Sequence, residues 1–200
     1  MKASATRAKV IEEGLQTLSE GGLASLTIGR LAEATGMSKS GLFAHFRSRE
    51  LLELALLDEA ARIARTHVVA PAMEATEGLP RLIALVGLWF GWSARAGLRG
   101  GCPIAAALFE LDDVSGEVRD RVAALDAEWR ELLRAQVQRA VDLGHLDTSV
   151  EVDQIIWELG GIYLAHHSTM RFHRDPQADR RAQNALVTLL RRSGADPAYL

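Results

Sequence analysis

The chain has 200 residues, 48% hydrophobic content and only five Pro, enough for a full-sized core and too apolar for a largely disordered chain. Its most apolar run, 82–92, is too short to cross a membrane and contains Gly87 and Gly91. The segment MKASATRAKV lacks the apolar core of a signal peptide, and one cysteine, Cys102, excludes an internal disulfide framework. A cytoplasmic protein without a membrane partner is therefore expected. The net charge of −3 looks wrong for a nucleic-acid binder until it is divided. Residues 1–50 carry Lys2, Arg7, Lys9, Arg30, Lys39, Arg47 and Arg49 against Glu12, Glu13, Glu20, Glu33 and Glu50, a net +2 that leaves −5 for the rest. Local charge, not the total, governs contact with phosphates.

Long stretches of 3.6-residue periodicity recur and no alternating strand pattern persists, so the fold is expected to be all-α. Ala8, Ile11, Leu15 and Leu18 form a first helical stripe, ended by Glu20-Gly21-Gly22. Thr27 can cap a second helix, whose Ile28, Leu31, Ala32 and Thr35 share one face. Gly36 is a left-handed stop and Met37 a core plug at the turn. Ser38 caps a third helix, in which Leu42 and Phe46 face inward. Lys39, Ser40, Gly41, Phe43, Ala44 and His45 take the remaining arc.

Two helices joined by a short Gly-containing turn form a helix-turn-helix, whose second helix enters the DNA major groove. Lys39 suits a phosphate or guanine O6/N7, and Ser40 suits a base edge or phosphate. Gly41 permits close backbone approach, and Phe43 can meet a thymine methyl or sugars. His45, Arg47 and Arg49 sit where phosphates should pass. Thr27 and the helix it starts, which includes Arg30, offer free N–H groups to another phosphate. The competing reading is a helical hairpin with a solvated polar face.

Ser48-Arg49-Glu50 opens a longer helix expected to run to about Val69 and to end at Pro71, with a tilt that could transmit a signal to the DNA-binding part. Further helices are expected over roughly 79–98, 103–111, 115–143, 151–172 and 178–193. Trp89, Phe90 and Trp92, with Phe109, Trp129, Trp157 and Tyr163, either line a cavity for an apolar or aromatic small molecule or simply pack a core. Cys102 lies at a helix start, where a thiol can become reactive, although a single cysteine is more often an inert buried residue. His166, His167 and His173 do not make a metal site, because adjacent histidines diverge by about 100° on a helix. No metal, cofactor or catalytic constellation is called for, so an enzyme is not expected.

The segment LTIGRLAEATGMSKSGLFAHFRSREL, with its aromatic-x-His-Phe-basic-x-basic-Glu-Leu ending, resembles the N-terminal domain of TetR/AcrR-family transcriptional repressors over the first 50 to 60 residues. In that family an aromatic and a His near this ending usually touch the DNA backbone, here Phe43 and His45. Departures are Phe43 and Ala44 where Tyr and an aromatic are more usual, and Gly41 where Thr is frequent. The resemblance implies an N-terminal three-helix DNA-binding domain over 1–50, with its motif at about 27–47. It implies a C-terminal helical ligand-binding and dimerisation domain over 51–200, with the effector unidentified. Homodimers would form through the last two long helices, where Gly160-Gly161 permits close approach, and would read a palindromic double-stranded operator. Both faces of those helices could instead be buried within one subunit.

Overall fold

The computed structural model describes residues 2–200, with side chains from Ala5 onward. Among these residues the secondary structure is entirely helical. The helices are α1 (Lys2–Gly21), α2 (Ile28–Thr35), α3 (Lys39–Phe46), α4 (Arg49–Ala64), α5 (Ala70–Met73), α6 (Leu79–Trp89), α7 (Trp92–Arg95), α8 (Pro103–Glu110), α9 (Glu117–Asp142), α10 (Val152–Ser168) and α11 (Ala178–Arg192). A 3-10 turn, Leu23–Ser25, stands between α1 and α2.

The chain divides into two compact units, one of residues 1–63 and 93–126, the other of 64–92 and 127–200. In the first, α1 packs on α2, on the 3-10 turn and on α8, and α2 packs on α3. Val10, Leu18, Leu31, Leu42, Leu56 and Leu57 are at most 1% exposed and form its core. Residues 97–101 are laced to α1. The Gly100 amide donates to Ser19 Oγ at 3.1 Å and the Gly101 amide to the Ser19 carbonyl at 2.9 Å. A Cβ at position 100 would lie 1.8 Å from that carbonyl oxygen, so only glycine permits this backbone approach. In the second unit, α10 pairs with α11 and α5 packs on α6, around Leu79, Leu82, Leu85, Leu133, Leu159 and Leu190.

Three of the expected helices differ. Pro71 does not end its helix. The chain widens into a π-turn over Arg65–Val69 and continues helically through Pro71 to Met73. The wider π-type bond of the Ala70 amide to the Arg65 carbonyl, just before Pro71, takes up the misfit that a proline brings to a continuous helix. The segment 79–98 is two helices, because Phe90 is extended and Gly91 has φ +63°. The helix expected over 151–172 is α-helical to Ser168 and closes in a π-turn over Thr169–His173.

Candidate nucleic-acid interface and the body cluster

Both helices of the motif start on a side-chain cap. Thr27 is extended, and its Oγ1 accepts from the Arg30 amide at 3.2 Å. Ser38 is extended, and its Oγ accepts from the Gly41 amide at 3.1 Å. Gly36 holds the turn at φ +70°. Leu42 and Phe46 bury on one side of α3, which leaves Lys39, Ser40, Phe43 and Ala44 exposed on the other. This is the division that the 3.6-residue repeat requires. Phe43 is 45% exposed, large for an unsupported aromatic. Gly41 and His45 are half-buried at the edges of this face. The Lys39 stem passes α2 where glycine leaves room, 3.8 Å from an ideal Cβ at Gly29. Arg47 closes α3 at φ +61°, a conformation uncommon for a side-chain-bearing residue, and its amide donates to the Phe43 carbonyl at 2.8 Å.

Not every expected contact residue is equally available. Arg49 is engaged inside its own unit. Its Nε donates to Glu53 Oε1 at 2.7 Å and its Nη2 to the Leu23 carbonyl at 3.1 Å. Arg30 remains exposed, and its Nη2 lies 3.9 Å from Glu20 Oε2 in a loose ion pair. Ser40 Oγ lies 3.1 Å from Ser38 Oγ. Two bases in α1 serve the packing. Lys9 Nζ donates to the Thr35 carbonyl at 2.9 Å, and the Arg7 guanidinium lies 5.1 Å from the Phe46 ring centroid.

The aromatic residues proposed for a body cavity separate. Trp89 stacks on Tyr163 with centroids 3.8 Å apart, and Trp129 meets Trp89 at 4.7 Å. His167 adjoins Tyr163 at 6.2 Å, and desolvation, followed by the nearby Arg171 and His166, holds its imidazole below the ordinary histidine value. Phe90 meets His166, whose Nε2 is 2.7 Å from Asp179 Oδ1. Trp129 Nε1 and Gln136 Oε1 lie buried in this second unit without a hydrogen-bond partner.

The remaining candidates lie elsewhere. Trp92 is 2% exposed, in the plain core. Trp157 is 68% exposed on the outer side of α10. Phe109 is 63% exposed and belongs to the first unit, as does Cys102. Cys102 is buried, and its Sγ caps α8 by accepting from the Ala105 amide at 3.4 Å. Composition could not separate these residues, because an aromatic at helical spacing reads alike on an inner or an outer face. The first unit also contains an open cleft of about 510 Å³ between α1, α4 and residues 96–98, floored by Ile11, Leu15 and Ile63 and edged by Arg7, Glu12 and Glu59. No motif in the sequence marks this cleft.

A capped, outward-facing second helix on a three-helix support defines a helix-turn-helix protein. Known proteins agree. The family model described as bacterial regulatory proteins, tetR family, matches residues 10–56, and that described as tetracyclin repressor-like, C-terminal domain, matches 78–186. The chain belongs to the TetR family of DNA-binding transcriptional regulators. It is 27% identical over 183 residues to the nucleoid occlusion factor SlmA of Cronobacter sakazakii, covering 88% of this chain and 91% of that protein. Its fold matches a TetR transcriptional regulator from Chloroflexus aurantiacus with a TM-score of 0.83 and 27% identity, over 95% of this chain and 94% of the other. It also matches AibR, solved in complex with isovaleryl coenzyme A and operator DNA, with a TM-score of 0.71 and 17% identity over 94% and 97% of the two chains.

Proposed function

We propose that this protein is a repressor that leaves its operator when a small molecule binds its C-terminal part. The observation that carries the DNA half is the split face of α3, with Leu42 and Phe46 anchored and Lys39, Ser40, Phe43 and Ala44 exposed. Thr27, Arg30, Ser38, Gly41, His45 and Arg47 complete the contact set, and residues 1–50 form the DNA-binding domain. Arg49 is assigned mainly to holding that domain together.

The effector half, residues 51–200, is supported by the buried, unpaired Trp129 indole N–H beside Trp89, which stacks on Tyr163, and by the buried, unpaired Gln136 side-chain Oε1 two turns further along α9. An aromatic wall with a spare donor suits a planar ligand that carries a polar acceptor. The similarly folded AibR accommodates an acyl coenzyme A together with its operator. An effector shifts the DNA-bound population only if it binds the non-binding state more tightly. A regulator and not an enzyme is the reading that the family supports. Among the described residues no helix is long and apolar enough to cross a membrane, and a protein acting on operator DNA works where the chromosome is.

A homodimer is part of this reading. The outer side of α10 carries exposed Trp157, half-buried Leu164 and Gly160-Gly161, whose added Cβ atoms would meet nothing within 4 Å. Phe172, 83% exposed, continues it. The inner side buries Ile155, Ile156, Leu159 and Tyr163. A helix apolar on both sides needs cover on both, and a second copy supplies it.

Selection of binding sites from a random DNA pool, followed by a titration with competitor DNA, tests the proposal. A palindromic site bound in the presence of competitor supports it; salt-sensitive binding without preference counts against it. A second reading, nucleoid occlusion, is supported by the 27% identity to SlmA over 91% of that protein. Mapping occupancy along the chromosome separates the two. Binding confined to a promoter beside its own gene favours the repressor, and sites spread along the chromosome favour the second reading.

A further inference from the structure

The 3-10 turn before α2 is held from outside the helix-turn-helix. Glu110, the last residue of α8, accepts the Leu23 amide on Oε1 at 3.1 Å and the Ala24 amide on Oε2 at 3.0 Å. The carbonyl of the same Leu23 accepts Arg49 Nη2 at 3.1 Å, and Arg49 Nε pairs with Glu53 at 2.7 Å. One peptide segment is therefore gripped at its amides by an acid and at its carbonyl by a base. Arg49 opens α4, immediately after α3. The turn immediately precedes Thr27 and α2. The grip thus brackets the helix-turn-helix at both of its ends.

Local chemistry does not account for this placement of Glu110. A carboxylate in the last turn of a helix faces the negative end of the helix dipole, which disfavours it. Two charge-assisted bonds from Leu23 and Ala24 supply the offset. Gly22 is shaped to the same purpose. It sits at φ +69°, and a Cβ there would lie 1.8 Å from Glu110 Oε1, so a side chain at 22 would evict the carboxylate. These two amides start a turn and have no helical carbonyl to bond, so without Glu110 they lose these partners.

We propose that Glu110 is a positioning residue for DNA binding, seating the Gly22–Ala24 turn so that α2 and α3 present Lys39, Ser40 and Phe43 together. It lies far outside the DNA-binding segment in sequence and touches no expected DNA contact itself. The proposal rests on the reading of α2 and α3 as the DNA interface.

The test uses the full chain and its selected DNA site, with Glu110→Gln and Glu110→Ala. Gln keeps one acceptor and no charge; Ala keeps neither. Amide hydrogen exchange at Leu23 and Ala24 should speed up about tenfold or more in the Ala variant, in line with the loss of two bonds to a charged group, and less in the Gln variant. Amides of Leu15 and Leu18 in α1 should stay as in the parent. Operator affinity should fall about tenfold in Ala, with Gln between, while helix content is unchanged. Unchanged exchange at both amides overturns the seat. Faster exchange with undiminished operator affinity overturns the positioning role. Should the parent chain select no DNA site, the DNA reading fails and the positioning role with it, whereas the exchange data still decide the seat separately.

Discussion

Lys39 and Arg49 are ten residues apart in one basic segment, yet the fold gives them different work. Lys39 is exposed on the outer arc of α3, so Lys39→Ala should weaken operator binding by about 1–3 kcal/mol if it reads a base. The check is an anisotropy titration on the selected site and on a scrambled one; an equal loss on both would reassign Lys39 to a phosphate. Arg49 is spent on Glu53 and the Leu23 carbonyl, and the Glu53 side chain is only 12% exposed. Arg49→Ala should therefore lower folding stability by about 1 kcal/mol, a figure kept small because Arg49 is half-exposed. Thermal melts without DNA would measure it. His167 gives a pH prediction. Its folded-state pKa lies below the ordinary histidine value of 6.5, so the unfolded chain takes up the proton first as pH falls. Stability should drop as pH is lowered through that ordinary value toward the depressed one, and His167→Gln should reduce the drop in melts at pH 7.5 to 5.

Among the elements, α3 is short, eight residues, and cannot stand by propensity alone. It rests on the Ser38 cap and on Leu42 and Phe46. Ser38→Ala removes the acceptor for the Gly41 amide and should cost about 1 kcal/mol, read as faster amide exchange at Gly41 and a lower melting temperature. The passage from α4 to α5 follows another logic. A proline in mid-pattern normally ends a helix, but the π-turn over Arg65–Val69 absorbs the misfit before Pro71. Helix α10 carries two faces, one buried against its own unit and one bearing exposed Trp157.

For the whole molecule, the proposed homodimer rests on the outer face of α10. Trp157→Glu combined with Phe172→Glu should convert a dimer to a monomer in light scattering at micromolar concentration. It should also weaken binding to a palindromic site more than to a half-site, because only a dimer grips both halves. A parent chain that is already monomeric at that concentration would remove the dimer from the proposal. The two units also redistribute the chain in a way that its order conceals. Residues 93–126, remote from the first helices in sequence, pack with them through Ser19, Gln16 and Glu110.

The sequence by itself determined the helical class, the helix-turn-helix with both its caps, the inward Leu42 and Phe46, and the family. These depend on the 3.6-residue period and on caps acting within three or four residues, so neighbouring letters suffice. Tertiary structure decided what depends on distant partners. It drew Arg49 inward onto Leu23 and placed Glu110 on a turn 86 and 87 residues away in the chain. It also set Trp157 and Phe109 outside while stacking Trp89 on Tyr163. A side chain's type states what it can bond, but which face of its helix is covered is fixed only when another helix arrives.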